Sequence, residues 1–154
     1  MAKLSIGDQI PYFELVNQHS EIVKSTDLTG KPLVIYFYPK DDTPGCTVEA
    51  CSFRDSYEDF LEMGASVVGI SSDSIVSHKK FAEKYRLPFV LLSDSNGAVR
   101  KSFSVPRSFL GLLPGRVTYI FDKEGKLRHI FDSQLNLNGH INTALKQLKT
   151  ITGD

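Results

Sequence analysis

Apolar positions change their period along the chain, and the changes mark its elements. Leu33-Val34-Ile35-Tyr36-Phe37-Tyr38 is a continuous apolar run, rich in β-branched and aromatic residues, which predicts a strand covered on both faces. Pro39 ends it. From Pro44 to Met63 the apolar residues Ala50, Phe53, Tyr57 and Phe60 recur at helical spacing, and Gly64 supplies a C-terminal stop. Val67-Val68-Gly69-Ile70 predicts a second buried strand. Ile75, Phe81, Ala82 and Tyr85 mark a second helix, opened by Ser72 or Ser74 and closed before Pro88. Leu91-Leu92 suggests a small extra strand, and Ala98–Phe103 a short helix. Residues 104–116, with Pro106, Gly111, Pro114 and Gly115, form a surface loop between two periodic segments. Val117–Phe121 and Lys126–Phe131 flank the turn-rich Asp122-Lys123-Glu124-Gly125 as a hairpin. Ile141, Ala144, Leu145 and Leu148 define a closing amphipathic helix, and Tyr12–Val16 with Glu21–Lys24 a small N-terminal hairpin.

Two parallel strand–helix–strand steps, an insertion, an antiparallel hairpin and a last helix make up the thioredoxin-like order. The fold expected is therefore α/β, with a central mixed sheet flanked by helices. With 154 residues and no repeat or linker, a single domain spanning 1–154 is expected. Eighteen basic residues balance eighteen acidic ones, so no nucleic-acid or membrane partner is implied. The longest apolar run is far short of the roughly 20 residues of a membrane span. Residues 1–10 carry one Lys and no apolar stretch, so no signal peptide is expected. Two cysteines are too few for a disulfide scaffold. In a reducing compartment a close cysteine pair is more often catalytic than structural, which turns attention to Cys46 and Cys51.

With Thr43 as N-cap and Pro44 at the first helical position, Cys46 falls in the first turn. Unpaired backbone N–H groups and the positive end of the helix dipole there favour a thiolate, the nucleophilic form. The site also lies at the C-terminal edge of the first long strand, where open α/β sheets place their ligands. Cys51 follows five residues later. In an intact α-helix that spacing turns about 140° and rises about 7.5 Å, placing the Cα atoms about 8.6 Å apart. A disulfide needs them within about 7 Å. Cys46 and Cys51 can bond only if the first turns unwind, so two states are expected.

Pro39-x-x-x-Thr43-x-x-Cys46 resembles the active-site motif of the peroxiredoxins, thiol peroxidases of thioredoxin-like fold. The run Thr43-Pro44-Gly45-Cys46-Thr47-Val48-Glu49-Ala50-Cys51 is similar to the Q type, also called the bacterioferritin comigratory protein group. Phe53-Arg54-Asp55, Val68-Gly69-Ile70-Ser71, Leu91-Leu92-Ser93-Asp94 and Pro114-Gly115-Arg116 extend the likeness over residues 5–148. The resemblance implies reduction of hydrogen peroxide and organic hydroperoxides. It makes Cys46 the peroxidatic cysteine, which becomes a sulfenic acid, and Cys51 the resolving cysteine, which forms an intrachain disulfide. Thioredoxin or a related dithiol protein would reduce that disulfide. A monomer is implied, in the cytoplasm or, as a processed form, in a plastid.

The supporting residues have physical reasons to be present. Arg116 would direct donors toward sulfur and peroxide, and Thr43 would cap the helix and turn its hydroxyl to the peroxide. Pro39 and Pro44 would limit the loop and shield the sulfur. Gly45 would let backbone N–H groups approach an oxygen, and Glu49 would hold Arg116 or remain an exposed helix residue. Phe109-Leu110-Gly111-Leu112-Leu113 folds onto the core, or forms a collar for alkyl peroxides or the reductant. His19, His78, His129 and His140 are scattered and show no metal pair, and Lys79-Lys80 and Arg100-Lys101 are expected as solvated helix charges. Phosphate-loop and dinucleotide fingerprints are absent, so no cofactor is expected. A general disulfide oxidoreductase would need C-x-x-C rather than C-x-x-x-x-C. A non-enzymatic redox sensor would use the same two cysteines without turnover.

Overall fold

Seven of the strands form one mixed sheet whose spatial order differs from their order along the chain, and two short strands pair separately. The computed structural model describes residues 4–108 and 113–152. Its N-terminal hairpin is β1 (Glu14–Asn17) and β2 (Ile22–Lys24), followed by β3 (Leu33–Phe37), α1 (Pro44–Asp55), α2 (Tyr57–Glu62) and β4 (Ser66–Ser71). Then come α3 (Ile75–Tyr85), β5 (Val90–Ser93), α4 (Ala98–Ser102), β6 (Arg107–Ser108) and β7 (Leu113–Pro114). β8 (Val117–Phe121), β9 (Leu127–Asp132) and α5 (Leu137–Thr152) complete the chain. Seven strands join in the order β2-β1-β5-β4-β3-β8-β9. β3 and β5 run parallel to β4 on either side of it, and β8 and β1 join antiparallel outside them. This is the thioredoxin-like α/β arrangement. Among the described residues, no helix is long and apolar enough to cross a membrane.

β3 is buried at all five positions because both of its faces are covered. Strand side chains alternate, so Val34 and Tyr36 point one way and Leu33, Ile35 and Phe37 the other. The first face packs with Ala50, Phe53, Phe60, Phe81, Ala144 and Leu148 of four helices. The second meets Val99, Phe103, Tyr119 and Leu127. Phe53 stacks on Tyr36 with ring centroids 4.5 Å apart, which seats α1 on the centre of the sheet.

Three local expectations change. The helix predicted over 44–63 breaks at Ser56, whose ψ of 6° leaves the helical range, and α2 restarts with Phe60 turned in beside Phe53. Serine competes poorly for a helix interior, and the break leaves α1 a twelve-residue unit carrying both cysteines. Within the 104–116 loop, β6 and β7 pair antiparallel, Arg107 opposite Pro114. Residues 109–112, which carry most of the apolar collar, lie outside the described residues. Arg100, expected in solvent, is buried instead. Its guanidinium donates to the carbonyl of Tyr38, at the end of β3, and to that of Gly115, so it ties the 115 turn to the strand that leads into α1.

Phe53→Ala removes the ring that seats α1 and is expected to cost about 3–5 kcal/mol, lowering Tm by roughly 10 °C. Thermal unfolding followed by circular dichroism measures it; a shift of only a degree or two would show that α1 does not depend on this contact.

Candidate active site

β3 ends at the sheet's C-terminal edge and the chain crosses Pro39–Thr43 into α1. Thr43 occupies the N-cap position in extended conformation, and Pro44, Gly45 and Cys46 are the first three helical residues. The hydroxyl of Thr43 makes no cap bond to the helix; it donates to the carbonyl of Lys40 at 3.0 Å. That spends its hydrogen and leaves the oxygen's lone pairs as acceptors. Cys46 is 1% exposed. Pro39 is half-buried, whereas Pro44 faces solvent.

Arg116 reaches Cys46 from the residue before β8. The preceding Gly115 is obligatory, because a Cβ there would sit 2.0 Å from the carbonyl oxygen of Pro106. From this fixed turn the guanidinium makes three bonds. Nε donates to Gln134 O at 3.2 Å, Nη1 to Glu49 Oε1 at 2.5 Å and Nη2 to Cys46 Sγ at 3.4 Å. Gly45 is what lets Nη2 come so near, since a Cβ at that residue would lie 3.1 Å from it. Burial works against the charge of Arg116, but Glu49 and Cys46 hold its pKa above the ordinary value.

Glu49 is wholly buried, not an exposed helix glutamate. Burial pushes its carboxyl up to about 7 against the opposing pull of Arg116. Among the described residues its Oε2 has no hydrogen-bond partner, and it lies 3.6 Å from Nδ1 of His140. His140 is also fully buried; Nε2 is 2.7 Å from the Ser133 carbonyl and so carries the hydrogen. Nδ1 is then free to accept from Thr118 Oγ1 at 2.7 Å. Burial pushes this imidazole down to about 4, opposed by the Ser133 bond and assisted by Arg116.

The structure thus brings Thr43, Gly45, Cys46, Glu49 and Arg116 to one place. Cys51 is a half-buried free thiol on the same unbroken helix, with Arg54 alongside. The sequence pattern assigns no site role to His140, His78 or Asp41 and places Arg100 in solvent. His140 shares a helical stripe with Ala144 and Leu148, four and eight residues on, and that register was the available sign of burial. Asp41 and Arg100 carried no such periodic signal.

The AhpC/TSA family model matches residues 6–130. Peroxiredoxin Q, chloroplastic, of Sedum lineare is 50% identical over 150 residues, covering 97% of this chain and 81% of that protein. The protein of the same name from Arabidopsis thaliana is 50% identical over 148 residues, covering 96% and 68%. Among solved structures, Peroxidoxin BcpB from Mycobacterium tuberculosis gives a TM-score of 0.88 at 39% identity, covering 96% of this chain and 98% of that one. Peroxiredoxin Q of Xanthomonas campestris gives 0.85 at 32% identity, covering 91% of each.

The buried pair behind Arg116 predicts opposing pH effects on stability. His140 is held neutral in the fold, so from pH 6.5 down to about 4 the unfolded chain binds the extra proton and stability falls. Glu49, with its pKa raised, favours folding at low pH, and that contribution is lost as pH rises from 4.5 through about 7. His140→Gln keeps a donor for Ser133 but cannot titrate. It is expected to flatten the acid-side decline by at most about 3 kcal/mol, read from urea unfolding between pH 4 and 7. Parallel curves for variant and wild type would refute the assignment.

Proposed function

The chain belongs to the AhpC/TSA family, in its peroxiredoxin Q branch, and from that premise we propose how its residues divide the work of a thiol peroxidase. Hydroperoxide is reduced by Cys46, Cys51 resolves the product within the same chain, and thioredoxin or a related dithiol protein restores both thiols. The observation that carries this reading is the buried sulfur of Cys46, in the first turn of an intact helix, accepting from an arginine whose other bonds fix its position.

In the first step the Cys46 thiolate attacks the terminal, hydrogen-bearing oxygen of ROOH. The S–O bond forms as the O–O bond breaks, giving Cys46–SOH and RO⁻, which takes a proton from solvent and leaves as ROH. Arg116 offers N–H donors where negative charge passes from sulfur to oxygen, and being already in place it needs no reorganisation. Thr43 has its hydrogen on Lys40, so its oxygen is the acceptor for the peroxide O–H and orients the O–O bond. Glu49 keeps Arg116 aimed.

In the second step the Cys51 thiolate attacks the Cys46 sulfur, the S–S bond forms, and hydroxide leaves as water on protonation. Ideal helix geometry forbids this in α1 as folded, with about 8.6 Å between Cα atoms against a limit of about 7 Å. The turn that must open contains Glu49, so resolution dismantles the bond that aims Arg116. In the third step two thiols of the reductant exchange with the disulfide and α1 re-forms. A disulfide closed within one domain of one chain needs no second protomer, which supports a monomeric working unit. The chloroplastic relatives support a compartment where dithiol proteins stay reduced, a plastid or the cytoplasm of a bacterium.

Peroxide consumption coupled to thioredoxin, thioredoxin reductase and NADPH tests the scheme. Cys46→Ser is expected to be inactive, and Cys51→Ser to stall after one turnover with thioredoxin. Arg116→Met is expected to lose about 10²-fold or more in kcat/KM for peroxide. Full turnover by Cys46→Ser would sink the proposal. In the disulfide form, amide hydrogen exchange over residues 44–54 is expected to quicken; equal protection in both redox states would remove the unwinding step.

A further inference from the structure

The loop that delivers Cys46 to its helix is tied sideways to α3. Asp41, buried in that loop, accepts from the Tyr38 hydroxyl at 2.6 Å on Oδ1 and from the Ser77 hydroxyl at 2.8 Å on Oδ2. Nδ1 of the fully buried His78 lies 2.7 Å from the same Oδ2, and Nε2 lies 3.0 Å from the Leu92 carbonyl. The amide of Asp41 donates to Asp73 Oδ2 at 2.8 Å, an oxygen that also accepts from the Ser71 hydroxyl at 2.6 Å. Asp42 follows with φ of 58°, in the left-handed region that a non-glycine residue adopts at a cost. Its carboxylate is held by Lys84 Nζ at 2.9 Å and the Tyr85 hydroxyl at 2.8 Å, again from α3.

Counting hydrogens fixes the nature of the central contact. A carbonyl only accepts, so His78 Nε2 must carry a hydrogen toward Leu92. Asp41 already accepts two hydroxyl hydrogens, and the 2.7 Å contact between Nδ1 and Oδ2 would otherwise bring two lone pairs together. One hydrogen therefore lies between His78 Nδ1 and Asp41 Oδ2, in a bond shielded from water. The ligand atoms of Asp41, Asp73 and His78 lie within 4.8 Å of one another, as a cation site would require. Their oxygens are instead engaged by Tyr38, Ser71, Ser77 and a backbone amide, which is the pattern of a clamp.

We propose that His78 is a positioning residue for peroxide reduction: through Asp41 it fixes the 39–43 loop on α3 and so places the Thr43 hydroxyl, three residues ahead of Cys46. The inference rests on the peroxidase reading above and adds a residue on an element outside the helix that unwinds. Loss of this tie frees a loop that also holds a strained residue, and the acceptor that orients the O–O bond moves with it. The reactivity of the thiol itself is set elsewhere, by Arg116 and the start of α1.

Two substitutions separate the two nitrogens of His78. His78→Asn places an N–H near the Nδ1 position and keeps the donor to Asp41. His78→Gln reaches the Nε2 position and keeps the donor to Leu92 only. In a Cys51→Ser background, the rate of Cys46 oxidation by hydrogen peroxide is measured by competition with a haem peroxidase, beside the rate of alkylation by iodoacetamide and the Tm. His78→Gln is expected to slow peroxide oxidation by roughly tenfold or more, since misplacement by about 1 Å costs up to 10²-fold. His78→Asn is expected to restore most of the rate, with alkylation unchanged in both. Equal peroxide rates in wild type and His78→Gln would overturn the role of His78. Equal losses in both variants, or alkylation falling in step with oxidation, would overturn it too. If His78→Gln does not fold, Ser77→Ala removes one donor to Asp41 from the half-buried edge of the cluster and is expected to slow peroxide a few-fold with alkylation unchanged. An unchanged peroxide rate there overturns the clamp. Wild type that reacts with iodoacetamide but not with peroxide would overturn the peroxidase reading and this inference together.

Discussion

A buried guanidinium must find its counter-charges inside the protein, and the rest of this site follows from how Arg116 does so. Removing an ion from water costs several kcal/mol unless geometry and hydrogen bonds compensate. Arg116 meets that constraint with Glu49, the Cys46 sulfur and the Gln134 carbonyl. Two of those partners lie on α1, one turn apart, so a single helix supplies the proposed nucleophile and the carboxylate that holds the cation beside it. Arg116 starts from a turn that only glycine permits, and Arg100 braces that turn against the end of β3. The positive charge is therefore held by the fold before any peroxide arrives.

The same economy makes the two halves of the proposed reaction exclusive. With α1 wound, Cys46, Glu49 and Arg116 are in register and Cys51 is out of reach. Opening the turn that brings Cys51 to Cys46 removes Glu49 from Arg116. The break at Ser56 confines the event to a short helix, and Phe53 on Tyr36 holds its far end to the sheet. On the other side, α3 grips the loop ahead of α1 through Asp41 and Asp42. The wound helix is thus anchored at both ends, and in the proposed scheme it is the element that opens and closes once per turnover.

Much of this was legible from local pattern, because burial on both faces leaves a mark in the residues themselves. The run 33–38, the helical stripe from Ala50 to Phe60 and the turn at 122–125 predicted β3, the helices after it and the β8–β9 hairpin. Leu91-Leu92 predicted a minor strand, and β5 proved to be an inner strand of the sheet, since two residues cannot disclose how many neighbours they have. The helix break at Ser56 and the side-chain partner of Thr43 depended on competition between local bonds that the sequence pattern does not rank.

The sequence by itself determined the chemistry: a cysteine in the first turn of a helix, a second one five residues on, and the need for that helix to open between them. Periodicity and helix geometry are local, and they require only the order of residues. Tertiary structure alone decided how groups distant in the chain meet around that cysteine. Arg116 and Glu49 are 67 residues apart in the chain, and His78 is 37 from Asp41. Those pairs meet only because the sheet order sets β8 beside β3 and lays α3 over the loop that follows it. The same packing decides the charges of Glu49 and His140, whose pKa values shift chiefly because neighbouring elements bury them.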